Sequence, residues 1–91
     1  MTDKATETRE SMNERTTIIR TNGVQISYQL RGGGCMIKMY AKGNPAILNE
    51  LRRLRTRRTD AIVQSGGHEI GAVWKLDGRW TWYLDHEAAG V

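Results

Sequence analysis

Only one stretch of this chain, residues 45–57, carries the spacing of an amphipathic helix, and the sequence after and before it alternates or is cut by turn pairs. At 100° per residue Ile47, Leu48, Leu51 and Leu54 fall on one stripe. A lone helix buries such a stripe by lying across a sheet, so the pattern selects an α+β domain over a helical bundle. Asn44-Pro45 marks the helix start. The asparagine can accept an orphan backbone N–H, and proline lacks a donor where none is needed.

Turn pairs place the strands. Asn22-Gly23 is a two-residue hairpin signal between residues 16–21 and 24–30, and it gathers Val24, Ile26, Tyr28 and Leu30 on one face with Gln25, Ser27 and Gln29 on the other. If residues 31–34 form the next loop, Leu30 pairs with Cys35, Tyr28 with Ile37, Ile26 with Met39 and Val24 with Ala41. Met36, Lys38 and Tyr40 then face outward. Residues 61–64 can add a short extra strand before Ser65-Gly66-Gly67. Asp77-Gly78 closes a second hairpin pairing Leu76 with Arg79, Lys75 with Trp80, Trp74 with Thr81, Val73 with Trp82 and Ala72 with Tyr83. The expected order is β-β-β-α-β-β in a small antiparallel α+β domain.

Residues 1–15 contain only Met1, Ala5 and Met12 as apolar groups, too few to offset the entropy of ordering them, and are expected to form a disordered tail. The single domain then covers 16–85, with 86–91 a frayed end. With three Trp, three Tyr and no Phe, the core must draw on aliphatic residues and some of the Trp rings. One cysteine, Cys35, permits no intramolecular disulfide and is expected to face the core as a small hydrophobe. Residues 1–14 carry Asp3, Glu7, Glu10 and Glu14 and hold no apolar block, unlike a secretory leader, and no run reaches the length of a membrane span, so a cytoplasmic location is expected.

Charge is unevenly spread. Residues 31–58 hold eight basic side chains against Glu50 alone, whereas residues 59–91 hold two against five acids. Five of the eight, Arg52, Arg53, Arg55, Arg57 and Arg58, cluster at the helix end, where guanidinium groups repel one another unless an anion relieves them. Arg52, Arg53 and Arg57 are expected to point outward, with Arg55 and Arg58 near the edge of the apolar stripe. Lys38, Lys42 and Arg31 extend the basic path. The expected partner is a nucleic acid, DNA or RNA, bound through its phosphates by a small non-catalytic regulatory protein. The alternative is a phage- or plasmid-type inhibitor or adaptor that sets the same arginines against an acidic protein surface.

The second hairpin is apolar on both faces. Trp80 and Trp82 are expected in the core, leaving Trp74 and Tyr83 to stack on bases, to anchor a protein partner, or to join two copies as a homodimer through residues 69–84. Arg31-Gly32-Gly33-Gly34 lacks the spacing of a P-loop and reads as a hairpin loop. His68, His86, Asp85, Glu87 and Cys35 show no zinc-ligand spacing, and no nucleophile is paired with a base, so neither a metal, a cofactor nor catalysis is expected.

Overall fold

The computed structural model describes residues 22–91. Five strands, β1 (Val24–Gln29), β2 (Cys35–Tyr40), β3 (Ala61–Ser65), β4 (His68–Leu76) and β5 (Arg79–Leu84), form one antiparallel sheet in the order β2-β1-β3-β4-β5. Helix α1 (Ala46–Thr56) links β2 to β3, and a short helix α2 (His86–Ala89) follows β5. The tail expected over 1–15 and the strand expected over 16–21 lie outside the described residues. Strand β1 is hydrogen-bonded along both edges, by β2 and by β3.

Helix α1 forms where the apolar stripe and its cap coincide. Pro45 already has helical angles (φ −63°, ψ −17°), and Asn44 Oδ1 accepts the Ala46 N–H at 2.9 Å. Ile47, Leu51 and Leu54 are buried against Val24, Ile26, Ala61, Val63, Ile70, Val73 and Leu84, with Leu48, Trp80 and Trp82 packed around them. Removing such apolar surface from water is what holds helix to sheet, at about 25 cal/mol per Å².

Strand β3 is the middle of the sheet, not an accessory. Ala61, Ile62, Val63 and Gln64 are all buried, so both faces are covered and the run shows no alternation. A bulge between Val63 and Gln64 shifts the β3–β4 register and leaves Ile70 as the extra residue, which joins the core.

The β1–β2 register differs from expectation by one residue. Gln29 pairs with Cys35, Tyr28 with Met36, Ile26 with Lys38 and Val24 with Tyr40. The cause is the loop, which takes in Leu30: its N–H donates to the Gly34 carbonyl at 3.0 Å, and Gly32, Gly33 and Gly34 all have positive φ. Three glycines make a five-residue loop accessible, and one residue of slip exchanges the faces of β2. Met36, Lys38 and Tyr40 therefore share the helix-side face with Val24, Ile26 and Tyr28, while Cys35 is exposed instead of facing the core. Gln25 and Ser27, expected toward solvent, are buried at 2% and 1% exposure, with Gln25 Nε2 donating to Ser27 Oγ at 3.2 Å.

The C-terminal residues, expected to fray, form a capped turn. Asp85 Oδ1 accepts the Ala88 N–H at 3.1 Å, Ala89 is fully buried, and its carbonyl accepts the Gly43 N–H at 2.8 Å. Gly90 is left-handed (φ 77°), and a Cβ there would lie 2.9 Å from the Gly43 nitrogen. This closure ties the chain's end to the entry of α1.

Candidate nucleic-acid interface

The connection β2-α1-β3 crosses over β1, which fixes where the arginines go. Because α1 descends to the start of β3, its C-terminal end lies beside the end of β1, the start of β2 and the β4–β5 turn. Three turns therefore meet at one end of the sheet: residues 30–34, residues 57–60 and Asp77-Gly78.

At this end α1 stops in a Schellman arrangement, with Thr59 N–H donating to the Leu54 carbonyl and Arg58 N–H to the Arg55 carbonyl, both at 3.0 Å. The left-handed position is normally glycine. Here it is Arg58, with φ 54°. That conformation costs an L-residue roughly 1–2 kcal/mol.

Arg55 and Arg58 form one wall of an open depression of about 450 Å³ whose other walls are Lys75, Gly78, Arg79 and Trp80. No carboxylate of the described residues lines it. A smaller depression bordered by Arg31, Arg57, Arg58 and Asp60 continues it toward the 30–34 loop, so Arg58 belongs to both. Beyond it a third, of about 300 Å³, is bordered by Arg31, Lys38, Arg53 and Arg57 together with Tyr28, Leu30 and Met36. The basic side chains thus run from β5 to β1, past Asp60, across three strand spacings or about 14 Å. Arg52, Arg55, Arg57, Arg58, Lys75 and Arg79 form no ion pair among the described residues.

Arg53 has a different use. Its guanidinium donates to both oxygens of buried Glu50, at 3.1 and 2.6 Å, and to the Tyr28 hydroxyl at 3.3 Å. Lys38 Nζ reaches the same carboxylate at 3.2 Å, and both cations sit about 6 Å from the Tyr28 ring centroid. Burial is the largest single influence on the Glu50 carboxyl and would raise it, but hydrogen bonds from Arg53 and then Lys38 together hold it below its ordinary value. The hydrogen bond to Glu50 correspondingly raises Lys38 and Arg53. The slip of β2 that turned Lys38 toward the helix makes this knot of charges. Arg53 and Lys38 fasten α1 to β1 and β2 and border the basic path only with what remains of their surface.

The other expected residues separate. Lys42 lies in the turn before α1, at the opposite end of an 11-residue helix that spans roughly 16 Å. Trp74 and Tyr83 form an edge-on pair (centroids 5.8 Å, 82°) on the sheet face away from α1, where the Tyr83 hydroxyl donates to Glu69 at 2.7 Å. Among the described residues neither lines any of the three depressions, although the register sets Arg79 on their face of the sheet. Trp80 and Trp82 pack on the core side as the hairpin pattern requires.

Three residues of the depression, Lys75, Arg79 and Trp80, carry no mark in the sequence near the arginine cluster. The available signal was the hairpin register, which sets Lys75 opposite Trp80 and Arg79 at the turn, combined with a helix end that must pack near it. No family model, curated protein or solved structure matches this chain. Among the described residues, no group of three His, Cys, Asp or Glu is placed to hold a metal, and no helix is long and apolar enough to cross a membrane.

Proposed function

We propose that this chain is a non-catalytic nucleic-acid-binding protein that holds phosphates on the basic end of its sheet. The observation that carries the reading is the depression formed by Arg55, Arg58, Lys75 and Arg79, four cations from two distant segments, with no acidic side chain among the described residues of its walls. Folding brings them together against their mutual repulsion, and an anion at their centre relieves it. Arginine's planar fork suits phosphate, and several such contacts give an affinity that falls steeply with salt.

Arg58 supports the same reading from a separate direction. A strained left-handed arginine stands where glycine would serve the helix better, and strain of this kind collects at functional positions. Arg57 and Arg31 extend contact along a backbone beyond one phosphate. A mobility-shift series with DNA and RNA at rising salt tests the proposal. Binding that weakens with salt supports it. A chain that shifts neither polymer at low salt, yet is retained by an acidic protein, would replace it with the inhibitor or adaptor reading.

A further inference from the structure

Resting on that proposed function, we infer that the preferred ligand is single-stranded nucleic acid, with one unpaired base stacked on Trp80. Trp80 is half-buried: it packs against the core, and it also lines the depression framed by Arg55, Arg58, Lys75 and Arg79. A ring that packs on the core and still borders an open depression can serve as a stacking platform held in place by the fold. Cations stand around that opening, so a base over the indole has its flanking phosphates within reach of guanidinium and ammonium groups.

The concavity decides between strand types. The depression, about 450 Å³ and open to solvent, has room for one unstacked nucleotide laid against its wall. In a duplex the base faces are stacked on one another and hidden from the protein, so a duplex would meet only the rim cations and leave Trp80 without a partner. Unpaired bases offer a face to any aromatic ring, whatever the sequence, while a basic groove follows the backbone. The path from Arg79 past Arg58 to Arg31 supplies that groove.

The test compares Trp80→Leu, which fills volume without a stacking face, with Trp80→Phe, which keeps one. Fluorescence anisotropy would follow labelled oligothymidylate and oligouridylate of about 12 nucleotides, and a duplex of equal length. Trp80→Leu should lose roughly 5- to 150-fold of single-strand affinity, the range expected for one base–aromatic stack. Its duplex affinity should change by no more than about twofold, as rim phosphate contacts remain, and Trp80→Phe should keep most single-strand binding. An equal loss on both polymers, or no loss, overturns the inference while leaving phosphate binding intact. If Trp80→Leu does not fold, the unaltered chain still decides: it should prefer the single strands at equal salt, and indifference or a duplex preference overturns the stacking. Failure of the unaltered chain to bind any of the three probes would instead remove the underlying reading.

Discussion

Arg58 donates its backbone N–H to the carbonyl of Arg55 at 3.0 Å while holding φ at 54°, so the two arginines that frame the depression are set by the same helix-terminating bond. Their side chains leave the helix end on the side of the β4–β5 turn. The helix stop and the basic cluster are one structural feature.

Replacing Arg58 with glycine should separate stability from binding. Glycine relieves the left-handed strain, and the folded state should gain about 1 kcal/mol, read as a higher urea midpoint with unchanged slope. The same variant should bind nucleic acid more weakly. A variant that is both less stable and equally tight would contradict the role assigned to this residue.

The Glu50 knot makes a pH prediction. The folded-state carboxyl is held below its ordinary value, so the stability it supplies is fully present above that value and is lost as pH falls through the lower folded one. Glu50→Gln should cost about 1–2 kcal/mol at neutral pH, discounted because Arg53 and Lys38 are each more than a third exposed. Thermal melts of the two proteins should converge on acidification through the carboxylate range; a constant gap would show that Glu50 acts through shape alone.

Gly71 faces Leu84 across the β4–β5 pair, and a Cβ there would stand 2.7 Å from the Tyr83 carbonyl oxygen and 3.0 Å from Leu84 Cδ1. Since the nearer obstacle is backbone, Gly71→Ala should destabilise by about 1–3 kcal/mol, measured by urea denaturation. A neutral substitution would mean that β5 can move away from β4 at this point without loss.

Lys42 provides a control for the geometry of the path. It is exposed, basic and near the arginines in sequence order, yet it sits beyond the far end of α1. Lys42→Ala should change affinity for an oligonucleotide by less than about twofold, whereas Arg79→Ala, remote in sequence, should weaken it several-fold at low salt. The reverse ranking would place the interface at the other end of the sheet.

How far each feature could be read from the sequence depended on whether its physical cause was local. The Asp77-Gly78 hairpin appears with every expected pair, because a two-residue turn with positive φ at both positions leaves one register. That register in turn divides Trp80 and Trp82 from Trp74 and Tyr83. Helix α1 was legible because its stripe and its Asn44 cap agree. The β1–β2 register was not, since three glycines support loops of four or five residues and the alternation of β2 fits either face. Strand β3 gave a weak signal because burial on both faces removes alternation. The depression was the least legible: Arg55 and Arg58 meet Lys75, Arg79 and Trp80 only through long-range packing of α1 on β4 and β5.

The most direct measurement is the salt dependence of oligonucleotide binding by the unaltered chain and by a variant carrying Arg55→Ala, Arg58→Gly and Arg79→Ala together. For a single strand, the logarithm of the binding constant should fall against the logarithm of salt by about 0.7 for each phosphate neutralised. With about four contacts at the depression the unaltered chain should give a slope near −3, and the variant should bind more weakly with a slope flatter by about 2. Equal affinity and equal slope for the two proteins would contradict the assignment of the phosphate site to this end of the sheet.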